Sequence, residues 1–104
     1  MAATIKLSAK LKGNEAEVKS LVLHPMETGA RINPDTGNTI PSHHITQLIF
    51  TNNGKQVMVA NFSTAVSKNP YFGFSFTGAK AGDTIKAVWH DNNGESDELE
   101  TQLV

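Results

Sequence analysis

The chain has 104 residues, with nine Lys or Arg against ten Asp or Glu, a formal net charge of -1, and no cysteine. That length is read as one domain, 1-104, able to bury a core of its own. The missing thiol excludes disulfides, thiolate zinc sites, iron–sulfur clusters, blue copper and cysteine nucleophiles. The balanced charge and the lack of a long apolar run give no reason to expect nucleic acid or a membrane span.

Residues 4-12 alternate, with Ile5, Leu7, Ala9 and Leu11 on one face and Lys6, Ser8, Lys10 and Lys12 on the other. That is the pattern of a half-buried strand. The N-terminal MAATIKLSAKLK has no apolar stretch of the secretory kind, and taken alone it suggests a cytoplasmic chain. Gly13-Asn14 is a turn, and residues 16-24 are again β-prone. Next come the eighteen residues from His24 to Pro41, HPMETGARINPDTGNTIP. Connections of this length are functional or disordered in most compact domains. This one alternates stiffening prolines with turn residues and has His24 and His43 at its two mouths, so it is expected to be ordered and held against something.

Two apolar runs, 44-51 and 55-62, flank Asn52-Asn53-Gly54, a tight-hairpin signal because Asn-Gly accepts positive φ. Pro70 is expected to hold Asn69 in extended geometry. Residues 70-77 place Phe72, Phe74 and Phe76 on one face. After a Gly-bounded turn at 78-83, residues 83-90 and 95-103 flank a second hairpin signal, Asp91-Asn92-Asn93-Gly94. Seven short strands with no convincing amphipathic helix predict an all-β fold, an immunoglobulin-like antiparallel β-sandwich with Trp89 in its core.

The middle strands carry apolar residues on both faces. Val18 and Val22 oppose Leu21 and Leu23; Ile45 and Ile49 oppose Leu48 and Phe50; Val57 and Val59 oppose Met58, Ala60 and Phe62. Each such side chain left in water forfeits about 1.5 to 3 kcal/mol of possible burial. A second apolar face covered by another protein is therefore expected. The set Leu21, Leu23, Leu48, Phe50, Met58 and Phe62 is assigned to it together with the HPMETG loop. The charges segregate too: Lys6, Lys10, Lys12 and Lys19 lie early, and Asp91, Glu95, Asp97, Glu98 and Glu100 lie late.

His24, His43, His44 and His90, with Met26 and Met58, are the ligand-like residues. His43 and His44 are neighbours, so on a strand they point to opposite faces. A copper site built from His and Met is the alternative to a purely structural role, in which His24 and His43 fix the loop through its backbone. No G-x-S-x-G elbow, phosphate loop or convincing carboxylate pair is present, so the chain is not expected to be an enzyme or to need a cofactor.

HPMETG at 24-29, IPSH at 40-43 (with Pro41 and His43), SKNPY at 67-71 (with Lys68, Asn69 and Pro70) and W-x-D-x-x-G from Trp89 to Gly94 resemble the SoxZ family, in the right order over about Ile5 to Ser96. The resemblance implies a non-catalytic scaffold of a SoxYZ-type sulfur carrier in bacterial thiosulfate oxidation. It implies a heterodimer with a SoxY-like protein, whose cysteine on a glycine-rich arm carries the sulfur, and transient contact with other Sox enzymes. It also implies a periplasmic location, the chain being exported with its partner.

Overall fold

The computed structural model describes residues 4-63 and 66-104; the first three residues of the N-terminal MAATIKLSAKLK lie outside the described residues. Seven strands follow in order: β1 (Ile5–Lys12), β2 (Glu15–Val22), β3 (Ile45–Asn52), β4 (Lys55–Asn61), β5 (Tyr71–Thr77), β6 (Thr84–Asp91) and β7 (Ser96–Gln102). All pairings are antiparallel, in one sheet of order β1-β2-β5 and another of order β4-β3-β6-β7. This is the expected sandwich. Its fourth strand joins β3 rather than extending the sheet of β1 and β2, the reverse of the constant-type immunoglobulin arrangement.

Turn chemistry sets the register. Asn53 and Gly54 have φ of 50° and 85°, the paired positive angles of a two-residue hairpin whose twist matches that of its strands. The core lies between the sheets. Ala16, Val18 and Val22 of β2 meet Ile45, Leu48 and Phe50 of β3 and Ile85, Ala87 and Trp89 of β6, all buried. Phe50 packs edge-on to Phe74 at 4.7 Å between ring centroids and stacks against Phe72 at 5.9 Å, contacts that add to the area they bury. Trp89 Nε1 donates to Thr4 Oγ1 at 3.0 Å, and that hydroxyl donates to Asp97 at 2.6 Å.

Two expectations about faces need correction. Strict alternation would put Ile45 with Ile49, opposite Leu48 and Phe50. A register shift between Ile45 and Gln47 against β6 instead turns Ile45 inward with Leu48 and Phe50, because a bulge spends one extra residue and re-aims those before it. Leu48 and Phe50 are 1% and 0% exposed, so they belong to the core and not to a partner surface. Met58 and Phe62 also pack against the core, half-buried. The outward apolar residues are fewer. Val59, Ile49 and Val88 form one cross-strand row, while Leu21 stands opposite Tyr71 with Leu23 beyond it.

The long connection is a protruding hairpin arm. Glu27 and His43 form an antiparallel bridge at its base, with N–H···O distances of 2.7 and 2.9 Å, and Ile32 pairs with Thr39 near its tip. Ordered it is, but only the base rests on the sandwich; Ile32 is 61% exposed. The molecule is correspondingly long, 53 × 24 × 18 Å.

Candidate functional site

The base of the arm meets the β6–β7 turn, and there three distant parts of the chain share one carboxylate. Asp91 Oδ2 accepts hydrogen bonds from His24 Nε2 at 3.1 Å and His43 Nε2 at 2.8 Å, and Oδ1 accepts from the backbone N–H groups of Asn93 at 3.0 Å and Glu95 at 2.8 Å. The Asp91 side chain is fully shielded from solvent, the His24 side chain nearly so, and that of His43 is 27% exposed with Glu95 Oε1 3.2 Å away. The imidazoles meet edge to face at 4.6 Å, and His24 meets Trp89 the same way at 5.2 Å.

Local sequence explains how each residue arrives. Trp89 and Asp91 are two apart on β6, so the alternation that buries the indole also turns the carboxylate inward. Asn69 grips His24 at both backbone groups: His24 N–H donates to Asn69 Oδ1, and Asn69 N–H donates to the His24 carbonyl, both at 3.0 Å. For this Asn69 adopts φ of 53°, left-handed rather than the extended geometry expected before Pro70. Asparagine is among the residues that tolerate it. Asn92 fastens the opposite mouth, accepting from His44 N–H at 2.8 Å and donating to the Ser42 carbonyl at 2.9 Å. Gly29, at φ 87°, lets the arm pass Ser42; a Cβ there would lie 3.3 Å from the Ser42 Cβ.

The other residues of the HPMETG and SKNPY motifs divide between support and surface. Met26 N–H donates to His24 Nδ1 at 3.1 Å, and Met26 Sδ accepts from Ile45 N–H at 3.3 Å. Glu27 pairs with Arg31 across one turn of the arm at 2.6 Å. Pro25, Thr28, Pro41 and Lys68 are exposed, and Pro70 is buried, its carbonyl accepting from Val22 N–H. Ser42 Oγ is 3.2 Å from His44 Nδ1, so that hydroxyl is engaged with His44 rather than with the Asp91 carboxylate. His90 points out of the sandwich.

Hydrogen-bonding roles define what the cluster can do. Ligand-capable atoms of His24, His43 and Asp91 lie within 4.8 Å of one another, close enough to suggest a metal. A backbone N–H is only ever a donor, so His24 Nδ1 must be the acceptor and Nε2 must carry the proton. A metal ion on Nε2 would have to displace that proton and break the bond from Met26. The arrangement is that of a clasp: two imidazole donors closed on one carboxylate, with His24 also bonded to loop backbone. Burial pushes the Asp91 carboxyl up, but the hydrogen bonds from His24, the Glu95 N–H, His43 and the Asn93 N–H together outweigh it and hold the group below its usual 3.8.

A carboxyl whose folded pKa is depressed adds stability that is complete above its unfolded value and fades as pH falls through the lower folded one. The denaturation midpoint is therefore expected to drop below about pH 4, and the drop is expected to be shallower in Asp91→Asn, as measured by urea unfolding across pH 2 to 6.

Sequence reasoning placed His24 and His43 correctly at the mouths of the connection but missed Asp91, which it treated as a hairpin residue. The available signal was Trp89-x-Asp91: a buried tryptophan two residues before an acid predicts an inward carboxylate.

Comparison with known proteins adds the family. The model of the sulphur oxidation protein SoxZ matches residues 5–102. The chain belongs to the SoxZ family. The match spans all seven strands and the clasp. No curated protein matches this SoxZ-family chain. Among solved structures it resembles a hypothetical protein of Pyrococcus horikoshii, at 23% identity, covering 99% of this chain and 89% of that one with a TM-score of 0.65. It also resembles the superoxide reductase (neelaredoxin) of Ignicoccus hospitalis, at 19% identity, 98% and 80% coverage and a TM-score of 0.65. The reduced superoxide reductase of Archaeoglobus fulgidus is similar at 22% identity, 95% and 85% coverage and a TM-score of 0.60. At such identities the likeness is one of fold.

Proposed function

We propose that this SoxZ-family chain is the non-catalytic scaffold of a SoxYZ-type sulfur carrier heterodimer in bacterial thiosulfate oxidation, working in the periplasm after export with its partner. The observation that carries the reading is the family match over residues 5–102. The chemistry agrees with it. A chain without cysteine offers no thiol on which to carry sulfur, so the carrier thiol belongs to a SoxY-like partner, on a mobile arm. The His–Asp–His clasp has a structural rather than a catalytic form: Asp91 has its hydrogen bonds filled from within the protein and His24 is buried against Trp89. Its work is to hold the arm of residues 28-42 at a set angle, where the exposed Ile32 and Arg31 can meet the partner or the enzymes that visit the complex.

Co-expression tests the reading. The chain is expected to co-purify with a SoxY-like protein as a one-to-one complex that accepts thiosulfate-derived sulfur on the partner's cysteine, with mass spectrometry showing the adduct on the partner alone. A chain that stays separate from every SoxY-like protein at micromolar concentration would remove the scaffold role.

A further inference from the structure

Two open sheets have four edge strands, here β1, β5, β4 and β7, and each exposes a row of backbone groups that natural proteins guard. The residues flanking β1 and β7 cover these two edges: Val104, just past β7, accepts from Leu11 N–H at 2.7 Å and donates to the Ala9 carbonyl at 3.3 Å, and Thr4, just before β1, donates through Oγ1 to Asp97 at 2.6 Å. β4 opens on Lys55 and is displaced from β3 by a bulge between Phe50 and Thr51. β5 reads YFGFSFT, with no charge and no proline, and its register against β2 is unbroken.

Pairing with β2 fixes the direction of each β5 backbone group. Val22 N–H donates to the Pro70 carbonyl at 3.0 Å, and directly opposed residues in an antiparallel pair alternate between bonded and unbonded. Phe72, Phe74 and Phe76, opposite Ser20, Val18 and Ala16, therefore spend their N–H and carbonyl groups on β2. Those of Tyr71, Gly73, Ser75 and Thr77 point to the free edge, where no described residue bonds them. The side chains agree. The three phenylalanines face the core in a row at ring spacings of 6.0 Å yet stay only half-buried, because no strand stands beside them. On the outer face of this sheet Lys6, Lys10, Lys12 and Lys19 outnumber Glu15 and Glu17, and Glu17 is already shared by Lys12 and Lys19.

We infer that β5 is the strand-addition site for the partner subunit: an extended partner strand pairs along Tyr71–Thr77, with apolar residues toward the phenylalanine row and carboxylates between them toward the lysine-bearing face. The inference rests on the heterodimer reading and gives it a geometry. Unpaired backbone groups at alternate residues call for another backbone, and the positive sheet face selects an acidic one. A second copy of this chain would bring Tyr, Gly, Ser and Thr to those positions and set a second lysine-rich sheet beside the first.

The test uses the full chain, free and bound to a co-expressed SoxY-like partner. Amide hydrogen exchange read by NMR is expected to slow by about tenfold or more at Tyr71, Gly73, Ser75 and Thr77 on complex formation, with Phe72, Phe74 and Phe76 already slow in the free chain. Ser75→Pro removes one outward donor at a position where an edge strand tolerates proline; it is expected to leave the free chain folded and weaken the complex about tenfold or more. Should Ser75→Pro fail to fold, Ser75→Glu sets a like charge against the partner's carboxylates at the same site and is expected to weaken the complex in the same direction. A complex that assembles while the four amides exchange as in the free chain, and while the folded variant binds like wild type, overturns the inference and leaves the heterodimer intact. Failure of the wild-type chain to form any complex removes both. Slow exchange of the same amides in the free chain, with a concentration-dependent homodimer, gives the edge to a second copy and also overturns it.

Discussion

Leu48→Asp is expected to abolish the fold of the isolated chain. Leu48 is 1% exposed and stands in register with Trp89 on one side and Ala60 on the other, between the two sheets. Among the described residues no Lys or Arg is buried, so the new carboxylate would have no permanent cation beside it. Such burial costs several kcal/mol even after relaxation, on top of the lost leucine packing of about 2 to 5 kcal/mol. Together they rival the roughly 5 to 15 kcal/mol that a whole domain has in hand. Circular dichroism and amide dispersion of the purified variant give the answer. A folded Leu48→Asp chain that had lost only partner binding would put this residue on the surface and reverse the assignment of faces. Leu23→Asp is the contrasting variant: at 45% exposure it is expected to shift stability by no more than about 0.5 kcal/mol.

Removal of the clasp carboxylate gives the second large effect. Asp91→Ala leaves His24 Nε2 and the N–H groups of Asn93 and Glu95 without their side-chain acceptor at once, and leaves His43 Nε2 only Glu95 Oε1, 3.2 Å away at the surface. Breaking a buried hydrogen-bonded pair from one side costs about 3 to 5 kcal/mol, because donors remain desolvated with nothing to bond. Urea unfolding is expected to show a loss of that order. Faster amide exchange is expected to concentrate at Glu27 and His43, whose bridge closes the base of the arm, while the amides of β2 and β6 stay protected. A uniform loss across the sandwich would instead make Asp91 a general core residue with no special hold on the arm.

The strands were legible because period-two alternation and turn residues act locally. β5 shows this best: Phe72, Phe74 and Phe76 alternate with Tyr71, Gly73 and Ser75, and the observed burial alternates with them. Hairpin turns were equally plain, since Asn53-Gly54 adopts the positive φ values that its chemistry accommodates. The inward and outward assignment of β3 was not. Alternation says that two faces differ and leaves open which one meets the opposite sheet, and the bulge after Ile45 is invisible until β6 is paired. The arm was recognised as an ordered element by its prolines and glycines, but its projection into solvent depends on how far it extends beyond the sheets.

Composition and motif order, then, were sufficient for an all-β chain of this family without a thiol of its own. Local backbone preference and residue chemistry act at short range and need no partner element. The clasp is of another kind: His24 and Asp91 are 67 positions apart and His43 and Asp91 are 48 apart, so their hydrogen bonds exist only after β6 has been laid beside β3 and the arm folded back. The free edge of β5 is likewise a property of the assembled sandwich, since whether a strand lacks a neighbour depends on where all the other strands have gone.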